Sequence, residues 1–474
     1  MATVETPSAA HTEVVPILRR CRAAVAGQDA VAALTTEILP RPGGMSDLDY
    51  GGYLARALYM NATQRTHDSL VGLVMQKPAQ QEMPSAVADL ASYIDGRGSR
   101  LEDFARMAVS EVLEVGGWLA VVDHPERPEG VITAAQERAL GLRPVVSYYP
   151  RESVLEARTG FVNGNEEFTF LKLAETWVED VDEWTQEARE AVRVYDMAEG
   201  RVRVRVYRKT AAGWVLYNEA FPTARSGKGL TYIPAVAFGP ESNRFGKPPL
   251  LDLIDVNLAH YRNSADMEHA LHFTGLPTPY ASGVDPSALP SLTLGSSAGY
   301  VFEGENAKIQ FATYGAEGLA SLKQAMDDKV QMMAALGARM LAPESRAAES
   351  GEALAIRRGG ENSALAKVAD SVSRSVVLVL ETLAEWEGIT GAISYSLNTD
   401  YLPSKMNPQE LTALMAAWQA GGLTSEELFD RLKSGGVIRD DKDYAEHEAE
   451  LLDDEPDLMQ DPALSGGMTT GQPR

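Results

Sequence analysis

Apolar positions recur at three- and four-residue spacing through most of the first third of the chain. Val14 to Ile38 has few breakers and stops before Pro40, which predicts a helix followed by a loop at Arg41-Pro42-Gly43-Gly44. Ser46 and Asp47 are capping residues for a second helix through Tyr53, Leu54, Leu58 and Met60 to about Gln76. A third, Leu101 to Val115, puts Leu101, Phe104, Ala108, Val112 and Val115 on one face. Gly116-Gly117 ends it, and Trp118 to Val122 reads as a short buried strand.

The period then changes from about 3.6 to two. Pro144–Tyr148, Glu167–Val178 and Val192–Tyr217 are rich in β-branched and aromatic residues. In the run Arg201 to Arg208, arginines alternate with valines and Tyr207, between turn signals at Glu199-Gly200 and Ala212-Gly213. The pattern predicts a three-strand antiparallel meander with one apolar and one arginine face, the latter an ordinary solvated face or an anion-binding one.

Helical spacing returns after Gly246-Lys247-Pro248-Pro249. Leu250, Ile254, Leu258, Tyr261 and Ala265 form a stripe that runs on to Phe273, before Gly275-Leu276-Pro277. Thr278 to Tyr314 is β-rich, and a helix follows from about Glu317 to Leu341. Ala342 to Glu352 is small, polar and charged, and reads as a loop. The next helix is expected from Ala353 to Glu387, with a seam at Leu365, Val368, Val372, Val376, Val379, Leu383 and Trp386 close to a 3.5-residue repeat. Such a seam suits packing on other helices, of the same or a neighbouring chain. Its glycine pair, Gly359-Gly360, beside Arg357-Arg358, marks either an exposed irregularity or a hinge, because glycine pairs kink helices. Asn407–Gln419 and the segment after the capping box Thr424-Ser425-Glu426-Glu427 complete the helices. The tail from Pro462 has the composition of a disordered segment.

Composition narrows the function. In 474 residues, 43 Lys and Arg face 67 Asp and Glu, a formal charge of −24. That argues against gripping nucleic acid by phosphate neutralisation, although DNA could pass such a protein without sticking. The single cysteine, Cys21, excludes an intrachain disulfide framework. No signal-peptide pattern opens the sequence, and no apolar run approaches the roughly 20 residues of a membrane span, so a soluble chain is expected.

The catalytic inventory is thin. Gly239 to Lys247 superficially resembles a phosphate loop, but the glycine spacing is wrong and Pro248 stands where Ser or Thr would follow the lysine. His260, His269 and His272 lie on one helix with Asp266 and Glu268. His269 and His272 share a face and make a metal pair sterically possible, without a His-Glu-x-x-His motif. Asp180 and Asp182 sit in the acidic run Glu175–Glu190, best read as a solvated turn or helix face. Arg20 and Arg22 flank Cys21 and could lower its pKa, a buried thiol being the default. No catalytic, cofactor or metal residue is assigned on this basis, and no cofactor is expected.

Three stretches carry a family resemblance: Pro249 to Arg262 with Ser264-Ala265-Asp266 and His272 to Pro279; Glu352 to Arg358 with Glu361 to Leu365; and Leu423-Thr424 to Ile438. Together, over roughly Val14 to Leu452, the order resembles the portal proteins of tailed bacteriophages. The resemblance implies an α+β portal fold with no active site. Its parts would be a wing (1–249), a first stem helix (250–275), a β-rich clip (276–315), a second stem helix (316–341) and a tunnel loop (342–352). A long wing or channel helix (353–390), a helical crown (391–455) and a disordered tail (456–474) would follow. It further implies a homo-oligomeric ring, usually of twelve subunits, at the capsid vertex of a virion assembled in host cytoplasm. Partners would be the terminase large subunit, major capsid and scaffold proteins, a head–tail adaptor and double-stranded DNA passing non-specifically, with no membrane. The tunnel-loop residues nearest that DNA would be Glu344, Ser345, Arg346, Glu349 and Ser350, with Gly359 and Gly360 as hinge candidates. Another oligomeric virion component, an adaptor or scaffold, is the alternative, followed by a metal- or nucleotide-dependent enzyme.

Overall fold

In the computed structural model the described residues are 3–125, 136, 140–162, 164–275, 278–283, 306–312, 316–339, 363–401, 408–438 and 442–453. They are a mixture of helix and sheet, and the chain divides into two compact units, Met1–Thr399 and Asp400–Arg474.

The first unit opens with α1 (Ala9–Ala26), whose first turn is capped by the Ser8 hydroxyl accepting from the His11 amide at 3.2 Å. The expected single helix is broken: Gly27, at φ +97°, separates α1 from the short α2 (Gln28–Ala33). The second expected helix is also two, α3 (Asp47–Arg56) and α4 (Ala62–Val74), because Ala57 turns extended. Strand β1 (Gln80–Glu82) and α5 (Ser85–Ala91) follow. Then come α6 (Leu101–Val115), ended by Gly116 in the left-handed region, and β2 (Trp118–Asp123), both as the sequence predicts.

Strand β2 is the centre of a three-stranded antiparallel sheet, between β3 (Val145–Pro150) and β9 (Ala235–Phe238). The meander between them has five strands, not three: β4 (Val154–Val162), β5 (Asn165–Asp180), β6 (Gln186–Ala198), β7 (Arg201–Thr210) and β8 (Gly213–Ala220). The acidic run is therefore mostly strand, with its turn at 181–185. The arginine alternation also breaks. A register shift at Val206/Tyr207 accompanies the change. Arg203 and Arg205 both pair with Asp196, while Arg208, on the valine side, lies over the Trp177 and Tyr217 rings at 4.4 and 3.3 Å.

Next come α7 (Leu251–Gly275), an antiparallel hairpin of β10 (Thr278–Ser282) and β11 (Lys308–Ala312), and α8 (Ala316–Arg339). Helix α9 (Ala364–Glu387) starts at a Ser363 cap, later than expected; residues 353–362 lie outside the described residues. All seven seam residues of α9 are buried in this unit. They pack on α6, β2 and β9, around the cluster of Phe104, Trp118 and Phe238. Strand β12 (Ser394–Ser396) pairs with β1.

The second unit holds α10 (Pro408–Gln419), α11 (Ser425–Ser434) and α12 (Tyr444–Asp453). The Thr424–Glu427 capping box forms as read, and Phe429 sits edge-on to Tyr444, 5.5 Å between centroids.

Candidate functional site

The feature that sets this fold apart is the pair α7 and α8, and its geometry begins at the loop that launches it. Loop 239–248 is bound to the end of α6. The Gly246 amide donates to Gly116 O at 2.9 Å, and Arg151 Nη1 donates both to Val115 O (2.6 Å) and to Gly246 O (2.7 Å). The contact is closer than side chains allow. A Cβ on Gly116 would lie 2.3 Å from Gly246 O, and one on Gly239 would lie 1.7 Å from Arg244 O. These glycines let backbones touch. Lys247 Nζ pairs with Asp252 Oδ1 at 2.7 Å on the surface of the first turn of α7, so the phosphate-loop lookalike is a structural junction whose lysine is engaged by a carboxylate.

Helix α7 has 25 residues, about 37 Å at 1.5 Å per residue. Burial recurs on its inner face through Leu253, Ile254, Asn257, Leu258, Tyr261 and Ala265, then fades; of residues 266–275 only Ala270 is buried. In α8, among residues 318–337, only Met333, near the far end, is buried. The hairpin pairs Thr278 with Ala312, so α7 ends where α8 begins, and the two helices pack antiparallel. Gly337, at the other end of α8, returns to Thr66 on α4. The result is a helix–hairpin–helix projection, rooted in the unit at one end and exposed at the other.

The root is knitted by polar contacts that sequence reading missed. Asn257 donates to Tyr59 Oη and Thr63 Oγ1, both at 2.8 Å, and Tyr53 donates to Asp266 at 2.8 Å. His260 is buried against α8, where burial and Lys329 lower its pKa despite Asp327. His269 Nδ1 lies 3.2 Å from Arg56 Nη2, and its ring meets Tyr53 edge-on. Burial, then Arg56 and His272, lower the His269 pKa. The Arg56 guanidinium thus engages Nδ1 of His269, while His269 and His272 both lie edge-on to Phe273. Among the described residues no cluster of three metal-ligating side chains occurs. Asp182 accepts from the Trp184 amide at 2.8 Å and Asp180 from Gln186 at 2.9 Å, turn and strand contacts. Cys21 is fully buried, the default reading, and burial, with Glu114 next, pushes its thiol up to about 12, outweighing the lowering by Arg20 and Arg22. Glu344, Ser345, Arg346, Glu349, Ser350, Gly359 and Gly360 lie outside the described residues. So do much of the expected clip and the tail.

A family profile described as a domain of unknown function (DUF4055) matches residues 249–387, from the root of α7 to the end of α9. No curated protein sequence matches the chain. Among solved structures, the chain is similar to the neck of a native GTA particle computed with C12 symmetry. The match has 12% identity and a TM-score of 0.37, covering 86% of this chain and 99% of that one. The virion of a native gene transfer agent particle gives the same values. The neck of an empty GTA particle computed with C6 symmetry matches at 13% identity and TM-score 0.37, covering 84% and 96%.

Proposed function

We propose that the chain is a phage portal subunit, a ring-forming channel protein for genome packaging and ejection that carries out no catalysis of its own. The observation that carries this reading is the helix–hairpin–helix projection. Its antiparallel helices leave the unit together, expose most of their surface and end in a two-stranded hairpin. A lone hairpin is marginal in water, and helices this exposed gain little from burial in one copy. Both features make sense if neighbouring copies surround them. The first stretch of the sequence resemblance, Pro249 to Arg262 and His272 to Pro279, falls on α7 and the start of the hairpin. The acidic net charge suits a conduit, because a strongly basic lining would hold the phosphates it must release.

On this reading α7 and α8 are the stem, the hairpin is the clip where the terminase docks, and residues 342–352 are the tunnel loop. Electron microscopy of the purified chain is expected to show rings with an axial channel, with the α7–α8 projection at the narrow end. A monomer, or rings with the projection on the outer rim, would overturn the assignment. Tyr280 and Phe311 are exposed on the hairpin. Replacing both with serine is expected to leave ring formation intact and to weaken co-sedimentation with the terminase large subunit at least tenfold, the loss of about 1.4 kcal/mol.

A further inference from the structure

The five-stranded sheet narrows to two strands at one end. Strand β4 pairs with β5 only as far as Leu173, and β7 with β6 only from Ala191. Beyond these, Thr176–Asp180 and Gln186–Glu190 pair with each other alone, forming a β-arm closed by a turn in which Val181 N–H donates to Thr185 O at 2.9 Å. The arm carries apolar surface that nothing in the described chain covers. Val178 and its cross-strand partner Ala188 are exposed on one face, Val181 lies at the turn, and Trp184 is 87% exposed at the tip. Isolated two-stranded ribbons are marginal, and a contiguous exposed apolar patch marks a contact surface.

The same sheet has a second unprotected feature. Strand β8 is its edge, and three consecutive large residues on it, Val215, Leu216 and Tyr217, are exposed. The strand contains no proline or lysine, the usual guards of an edge. The chain's own arm cannot cover it. Strand β7 lies between β6 and β8 at about 4.8 Å per strand, and the arm continues in the plane of the sheet. The tip is acidic, holding Asp180, Asp182 and Glu183, and the edge offers it a cation in Arg208, which stacks on Tyr217; the neighbouring Lys209 is already shared by Glu190 and Glu5.

We propose that the β-arm is an intersubunit strap, its Trp184 tip seated on the β8 edge of a second copy of this chain. Arm and edge are different surfaces, so the contact is head-to-tail, the type that closes into rings. The inference rests on the ring reading and assigns the residues of one interface within it.

The test uses the full chain, and the complete burial of Cys21 leaves no reactive background thiol. Glu183→Cys and Glu219→Cys, both at exposed positions, keep every apolar contact. Combined in one chain and mildly oxidised, they are expected to give a ladder of covalent multimers on a non-reducing gel, whereas each single variant stops at dimers. Trp184→Ala is expected to raise the concentration needed for assembly by roughly thirtyfold, the usual loss of a buried aromatic anchor, and Trp184→Phe to recover most of it. Rings seen by microscopy without a ladder, and unaffected by Trp184→Ala, would overturn the strap and leave the ring. A ladder of open chains without rings would support the strap and overturn the ring. Neither ladder nor assembly would overturn both.

Discussion

Arg22 shows how much a single side chain organises. It reaches Glu111 at 2.6 Å, Glu152 at 2.7 Å and Glu114 at 3.1 Å, tying α1 to α6 and to the turn before β4. One cation cannot satisfy three carboxylates. Burial pushes Glu114 up to about 7, with Arg22 opposing and Glu111 reinforcing. Glu152 is half-buried, but its hydrogen bonds and charge pairing with Arg22 leave it below the usual range. A raised carboxylate pKa means the folded state holds its proton longer than the unfolded state. Glu114's contribution is therefore full below about pH 4.5 and is lost as pH rises through about 7. His11, His260 and His269 act oppositely, since burial lowers their pKa values and their contribution is lost as pH falls through 6.5 and below. The difference between wild type and Glu114→Gln isolates the first effect. Denaturant titrations between pH 5 and 8 are expected to show the variant gaining on wild type by on the order of 2–3 kcal/mol. Parallel pH profiles would remove Glu114 as the cause. None of this was legible in the sequence. Arg22 stood out only as a neighbour of Cys21, and its partners lie 89 or more residues away. Gly116-Gly117 was legible as a helix stop, but the loop that presses on it was not.

At the scale of elements, legibility followed the strength of the period. α6 and β2 emerge where expected because their apolar residues keep one period up to a glycine pair. α9 shows its seam equally well, but periodicity cannot say which surface a seam meets. Here it is the unit's own core, with Val372 and Val376 fully buried. Val376→Asp therefore places a charge among apolar side chains, at a cost of about 3–5 kcal/mol. Unfolding midpoints and loss of soluble protein should register this. A variant as stable as wild type would mean that the helix has turned its seam outward. The β5–β6 arm was legible on one side only. Glu167–Val178 reads as strand, but the rest of the acidic run, to Glu190, lacks an apolar face and reads as solvated turn. Its pairing is dictated by the hairpin, and Trp177, stacked on Arg208, was the sole inward anchor to notice. The breaks at Gly27 and Ala57 were hidden because helical spacing continues on both sides of each.

For the whole molecule, the governing quantity is charge. A chain of −24 repels DNA on balance, yet on the channel reading proposed above it must still touch the duplex it passes. Residues 342–352, between α8 and α9, have the composition for such a contact: Arg346 stands among Glu344, Glu349 and Glu352, with Ser345 and Ser350 between. A cation flanked by carboxylates is already partly offset, so its attraction to a phosphate is weak and quickly exchanged. Converting Glu344 and Glu349 to lysine removes the offset. Each subunit then presents three cations where it had one, and in a ring these add around the channel. Because non-specific binding scales steeply with the number of phosphates neutralised, two further contacts should steepen the logarithmic salt dependence of DNA retention by about two units per engaged subunit. The expected outcome is normal rings that hold DNA at low salt, release it at high salt, and slow or stall packaging in a reconstituted motor assay. Packaging at the wild-type rate, with DNA retention unchanged between low and high salt, would place this segment away from the DNA path.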